Sequence, residues 1–328
     1  MAVEELRADP AGNTLRAALG LIPRGRRDTL PDLALIRRGV VPDRDRLARY
    51  DHVCGFRLAD VLPGTYPHVL AFPLAMRLLT APDFPFPAIG LVHIANRITV
   101  LRPLRADDVL DIAVEAAGLR PHPRGRQVDL LTSITVDGDP VWTSTSTYLS
   151  KETQPAGRPS RSSDSSPVPS ASAPLAPPSP TPPSPTPPSP TPPSRSPSSS
   201  VPSTSQSSSP SAPSTPSSSG PSAVWRVPAR VGGDYAAVSG DRNPIHTSRI
   251  GARLFVFPRP IAHGMWSLAR CLAFFEGRLP SSYTVDVSFK QPILLPAEVA
   301  LTADAAGQFS LYGVKSARPH LAGQVTPA

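Results

Sequence analysis

The residue types most able to do chemistry cluster in two neighbouring stretches. Tyr235–His246 reads YAAVSGDRNPIH, and Ile261–Trp266 reads IAHGMW. Gly240, Asn243 and Pro244 impose irregular backbone, so Asp241 and His246 lie on a loop or a broken helix. Five residues apart across a Pro turn, their side chains can converge. A carboxylate beside an imidazole makes an acid–base pair that can hold a water between them. The same letters also fit a plainer arrangement, an Asp that caps the turn and a His satisfied by it. Gly264 adds a second feature, because it stands where a helix begins. A helix N-terminus offers unpaired N–H groups and the positive end of the dipole, and Gly lets a substrate oxygen approach them. The plainer alternative at Gly264 is a close helix–sheet contact. His263 reads as a structural or helix-start residue, and Asn243 as a loop-shaping one. An acid–base pair with an oxyanion donor is what proton chemistry alpha to a thioester carbonyl requires.

Those residues need a helix and a sheet to hold them. Met265, Leu268, Leu272 and Phe275 follow helical spacing, with Gly277 where a terminating glycine belongs. Ahead of them, Trp225–Val231 predicts a short strand, and Gly232–His246 reads as a turn-rich polar segment. Beyond Pro280 the period becomes two, with Thr284, Asp286 and Ser288 alternating with Val285, Val287 and Phe289. Val299–Ala303 and Phe309–Val314 predict two further strands. The first part of the chain has a similar order. Phe72–Thr80 predicts a helix with Pro73 in its first turn. Leu91–Leu101, Val109–Ala116, Gln127–Val136 and Val141–Leu149 then predict strands. Arg97–Val109 (RITVLRPLRADDV) aligns with Asp286–Val299 (DVSFKQPILLPAEV), Pro103 falling on Pro292. A duplicated helix-plus-sheet unit is the expectation.

Between the two units the composition changes. The chain has 328 residues and 45 Pro, and PPSPT repeats three times from Pro177 to Thr191. Such text has too little to bury, so 154–222 reads as a disordered Pro/Ser-rich linker joining units 1–153 and 223–328. The formal charge is +8, but 30 Arg against 3 Lys are scattered rather than gathered into a patch with aromatics. That argues against nucleic acid and suits an anionic small ligand. The Arg24–Arg27 run reads as solvated surface. Cys54 and Cys271 are too few for a disulfide framework or a Cys-rich zinc module. Cys271 reads as core; His52 and Cys54 are neighbours without a spatial argument for a nucleophile. No apolar run is long enough to span a membrane. Met1–Gly20 carries Glu4, Glu5 and Asp9 and lacks an apolar signal core. The expectation is a cytoplasmic protein.

GDRNPIH with the downstream IAHGMW resembles the MaoC-like (R)-specific enoyl-CoA hydratase and 3-hydroxyacyl-thioester dehydratase family, whose motif runs from an aromatic residue through SGDxNPxH. The resemblance implies an α+β fold of two hot-dog repeats, each a long helix wrapped by antiparallel sheet. It implies catalytic roles for Asp241 and His246 and a thioester-oxygen amide at Gly264. It further implies a non-catalytic first repeat that shapes the acyl pocket; that unit has no GDxNPxH text. His68 and Phe72 either line that pocket or pack in the core, the latter being the plainer reading. The substrate would be an acyl-CoA or acyl-carrier-protein thioester, with no cofactor and no metal, and a homodimer is compatible. The competing functions are a hot-dog thioesterase, a non-catalytic acyl-binding protein and a nucleic-acid binder.

Overall fold

The computed structural model describes residues 2–6, 27–88, 90–151 and 220–328. The tract at 152–219 and residues 24–26, for which a linker and a solvated surface are expected, lie outside these residues. The first repeat runs β1 (Ala2–Glu5), β2 (Leu33–Val40), α1 (Arg44–Cys54), α2 (Tyr66–Leu79), β3 (Leu91–Val100), β4 (Leu110–His122), β5 (Gly125–Val136) and β6 (Asp139–Lys151). The second runs β7 (Ala223–Val227), α3 (Val231–Ser239), α4 (Pro244–Thr247), α5 (Arg249–Leu254), α6 (Gly264–Phe274), β8 (Tyr283–Phe289), β9 (Ala297–Ala303), β10 (Gln308–Gly313) and β11 (Pro319–Pro327).

The eleven strands among the described residues form one sheet in the order β1-β2-β4-β5-β6-β3-β8-β11-β10-β9-β7. Outward from the β3–β8 seam the order is a mirror: β6, β5, β4, β2 on one side answer β11, β10, β9, β7 on the other. The duplication expected from sequence is therefore present in the strand order. At the seam Arg97 lies opposite Asp286 and Ile98 opposite Val285. The alignment that sets Pro103 on Pro292 also sets Arg97 on Asp286, so at the seam a residue faces its own equivalent, as at a twofold axis. Arg97 Nη1 lies 3.0 and 2.9 Å from the two Asp286 oxygens. Both side chains are exposed, so the pair marks register more than it adds stability.

The sheet wraps α2 and α6, as the hot-dog fold requires. One hydrophobic core runs through both repeats, joining Leu74, Leu78, Ile98 and Trp142 to Leu268, Cys271, Val285 and Leu301. The described residues of the two repeats form one compact unit. Trp266 Nε1 donates to Val53 O at 3.0 Å, tying α6 to α1.

Several elements differ from the sequence expectation. The helix expected at Phe72–Thr80 is α2 and begins at Tyr66, so Pro73 lies inside it and Pro67 near its start, and α1 was not expected. Buried Tyr66, Val69 and Leu70 extend the apolar face backwards, and that burial outweighs the backbone bond Pro73 cannot make. Gly232–His246 is not all turn, because α3 occupies Val231–Ser239. Buried Tyr235, Ala236 and Val238 fix that helix despite its two glycines. β4 runs on past Ala116 through a register shift between Ala117 and Arg120, where Gly118 takes φ 60°. The closing strand β11 (Pro319–Pro327) has no counterpart in the expectation, which ends at Phe309–Val314. It pairs with β8 from Leu321–Phe289 to Pro327–Tyr283 and completes the second repeat.

Candidate active site

The motif is delivered by the end of α3. Gly240, at φ 82°, ends that helix in the left-handed region that a side chain would strain. From the first repeat, Arg46 donates to the last carbonyls of α3, Nε to Val238 O at 2.8 Å and Nη2 to Ser239 O at 3.4 Å. A cation at a helix C-terminus is favourable, so α1 helps to place the loop that follows. Asn243 accepts from Ile245 N–H at 3.3 Å, and Pro244 opens α4, where its missing N–H costs nothing. The structure thus places Gly240, Asn243 and Pro244, expected to shape the loop, at the helix end, the turn and the start of α4. Gly232 packs against the same turn, and a Cβ there would fall 2.0 Å from His246 O. Absence of a side chain at Gly232 thus lets α3 close on the turn that carries His246.

Asp241 and His246 converge. Asp241 Oδ1 accepts from Asn243 N–H at 3.2 Å, and the carboxylate stays 31% exposed, open to water. His246 is buried and its Nδ1 lies 2.8 Å from Ile261 O. A carbonyl only accepts, so Nδ1 carries the proton and the lone pair of the neutral ring is on Nε2. Burial pushes the His246 pKa below its ordinary value, against the opposing pull of Asp241 and of Ile261 O. The ring is therefore neutral near pH 7 and able to take a proton.

His263 belongs to the same cluster, although the sequence reading treats it as a helix-start residue. It does precede α6, but its side chain makes no capping bond. Its ring stacks on that of His246, with centroids 3.6 Å apart and planes at 24°. His263 Nε2 donates to Asp241 O at 3.0 Å and lies 3.8 Å from Asp241 Oδ2. Its Nδ1 is buried without a hydrogen-bond partner. Burial, then the neighbouring His246, push its pKa down to about 3. A helix N-terminus offered to a substrate must have the preceding side chain folded to one side, and that was the available signal. Asp241, His246 and His263 bring potential ligand atoms within 4.8 Å of one another. In each of the two stacked rings one nitrogen is already engaged: Nδ1 of His246 and Nε2 of His263 are committed to backbone carbonyls, so the trio fits proton transfer better than metal ligation.

Gly264 opens α6. With no side chain capping this end, its N–H is left for a ligand. The ring of Phe289 covers the position, 3.2 Å from where a Cβ would stand.

The first repeat supplies the facing wall. Phe72 comes within 3.7 Å of where a Gly240 Cβ would stand. His68 and Tyr148 are close enough to Asp241 for its charge to influence their titration. The ring of His93 stacks on Tyr148 at 4.7 Å and tilts against Phe289 at 5.0 Å. His68 and Phe72 are therefore at the site and not merely in the core. His93 and Tyr148 were missed, since strand periodicity gives a residue's face but not its opposite neighbour. Cys54 and Cys271 are fully buried, and burial raises both thiols far above the ordinary range. Neither is a nucleophile, and Cys271 is core as expected.

A family model for the MaoC like domain matches residues 231–315. Over 323 residues the chain is 35% identical to 3-hydroxyacyl-thioester dehydratase X of Mycobacterium tuberculosis, covering 96% of this chain and 98% of that protein. A crystal structure of HtdX from Mycobacterium tuberculosis superposes with a TM-score of 0.68 at 31% identity, covering 90% of this chain and all of that one (100%). A MaoC-like dehydratase from Phytophthora capsici shares the fold, with a TM-score of 0.60 at 15% identity over 91% of this chain and 96% of that one. With its motif residues gathered at the start of α6 and this similarity running almost end to end, the chain belongs to the MaoC-like dehydratase family.

Proposed function

We propose that the protein is a hydro-lyase that interconverts trans-2-enoyl and (R)-3-hydroxyacyl thioesters. The observation that carries this reading is the convergence of the Asp241 carboxylate and the neutral His246 ring beside the uncapped start of α6. In hydration, a water held by Asp241 and His246 adds to the beta carbon. His246 Nε2 takes one proton as the oxygen–carbon bond forms. Electron density moves onto the thioester oxygen, which the Gly264 N–H stabilises. The imidazolium then returns the proton to the alpha carbon. Dehydration follows the same path backwards. Asp241 holds the water and balances the transient imidazolium.

The carrier is a phosphate-bearing thiol, coenzyme A or the arm of an acyl carrier protein. A groove of about 1140 Å³ is lined by Arg226, Arg259, Lys315, Arg318 and His320, with Glu298 as its carboxylate. Cations so arranged suit phosphate. Arg259 and Gln291 of the groove each stand two residues along the chain from a residue of the site, Ile261 and Phe289. No helix among the described residues is long and apolar enough to cross a membrane.

The test is loss of enoyl absorbance on adding enzyme to 2-butenoyl-CoA, with chiral analysis of the product. Formation of the (R)-3-hydroxy product supports the reading. Release of free thiol with the enoyl group intact would identify a thioesterase and overturn it.

A further inference from the structure

Facing Asp241 from the first repeat is a set of polar rings that the hydration chemistry does not use. His68, His93 and Tyr148 form a continuous row, with ring centroids 6.0 Å and then 4.7 Å apart. Each is half-buried, so part of each ring is left open to a ligand. Among the described residues, no protein group hydrogen-bonds to the His68 ring. Behind the row, buried Asn96 reaches Ser146 Oγ at 2.8 Å and His93 Nε2 at 3.5 Å. The other end of its amide has no partner. An unbranched alkyl chain in this space would strip water from these groups and return no hydrogen bond, which is unfavourable. A hydroxyl both donates and accepts, so it can answer an imidazole in either tautomer and the phenol as well.

We propose that His68, His93 and Tyr148 form a polar subsite in the first repeat that receives a hydroxyl carried by the acyl chain beyond its beta carbon. The proposal rests on the hydro-lyase reading and on the carrier occupying the cationic groove of the second repeat, which directs the acyl end towards the first. The three side chains are specificity-determining rather than catalytic. The first repeat then selects the substrate, and the second carries out the reaction.

The experiment measures kcat/KM of the full chain for three CoA thioesters: 2-butenoyl, 2-octenoyl, and a 2-octenoyl bearing a hydroxyl near its far end. The expected result is a preference of at least about tenfold for the hydroxylated octenoyl over the plain one, since a site built to bond a hydroxyl discriminates against its absence. Tyr148→Phe, which deletes one oxygen, and His68→Leu should each reduce that ratio towards one. Equal or better use of plain octenoyl by the unaltered enzyme would overturn the subsite while leaving the hydro-lyase reading standing. A uniform rise in KM for all three thioesters in both variants would place a carrier amide at the row and overturn the acyl assignment. No turnover of any of the three, 2-butenoyl included, would remove the hydro-lyase reading and the subsite with it.

Discussion

The equivalent helices α1 and α3 both end on a left-handed glycine, Gly55 at φ 79° and Gly240 at φ 82°. Both connections then close through the same isolated bridge, Val61 with Arg105 in the first repeat and Ile261 with Leu294 in the second. The flanking bonds match too, Leu62 N–H to Leu104 O at 2.8 Å and Ala262 N–H to Ile293 O at 2.9 Å. From glycine to bridge the first repeat takes six steps (55 to 61) and the second twenty-one (240 to 261), a difference of fifteen residues. Within that extra length lie Asp241, Asn243, His246 and α5. The bridges also align Pro63–Gly64 with His263–Gly264. Where His263 stacks on His246, Pro63 has no imidazole to offer. A Cβ at Gly64 would stand 2.3 Å from the Tyr283 hydroxyl, whereas at Gly264 the nearest atom, of the Phe289 ring, is 3.2 Å away. The scaffold is shared. On the proposed function, the chemistry belongs to the longer connection and the helix start of the second repeat, and the first repeat supplies the facing wall.

The largest test of that contrast is substitution within the longer connection. Asp241→Asn and His246→Ala should each reduce kcat by roughly a hundredfold or more, the scale of positioned acid–base groups. Circular dichroism should remain native, because neither side chain belongs to the hydrophobic core cluster. Asp60→Ala, in the corresponding short connection of the first repeat, should leave kcat within about twofold, as exposed substitutions do. Comparable losses in both connections would mean that the repeats share the chemistry.

The helix start offers a second comparison. Gly264→Pro removes the N–H at a first helical position, where Pro is tolerated, and His263 already has the extended backbone (ψ 140°) that precedes a proline. Loss of an oxyanion donor is expected to cost about a hundredfold in kcat. Gly264→Ala keeps the N–H and only crowds Phe289, so its loss should be smaller. Equal losses in the two variants would show that crowding, and not the donor, matters.

The smallest effect concerns pH and is shared by the repeats. Unfolded imidazoles protonate near 6.5, whereas burial holds His68 at about 4 and His93 and His263 at about 3. Burial lowers His246 as well. Between those values the unfolded chain binds more protons, so stability rises with pH there and falls as acid is added from about 6.5 towards 3. Asp51 acts in the opposite sense: burial, helped by Glu276, raises it from 3.8 to about 7, so its contribution falls as pH rises across that interval. Burial lowers His320 too, and these imidazoles against one carboxyl predict a net loss of melting temperature on acidification from pH 6.5 to 4.5. His68→Gln should flatten that slope slightly. A slope unchanged in His68→Gln would mean that this ring stays neutral in neither or both states.

Much of the second repeat could be read from its letters because the signals are local. Gly, Asn and Pro in GDRNPIH dictate a turn, whatever surrounds it, and a turn brings Asp241 towards His246. The spacing of Met265, Leu268, Leu272 and Phe275 specifies one apolar helix face, and Gly264 marks its start. Alternation in Thr284–Phe289 specifies a strand. The repeat itself was visible as the Arg97 and Asp286 segments, and the same correspondence reappears in the seam register. Other features are set by contacts between distant residues. α3 is a helix because Tyr235 and Val238 are buried and Arg46 satisfies its last carbonyls, which outweighs two glycines. β11 is a strand because β8 and β10 offer it partners on both sides. His263 enters the acid–base cluster, and His93 and Tyr148 enter the wall, because folding sets two repeats face to face. Side-chain type and spacing along a chain carry the local bonds and periodicities. Which imidazole stacks on which, and which one loses its water, depends on neighbours that the fold rather than the local spacing brings close, and burial by those neighbours sets the protonation state.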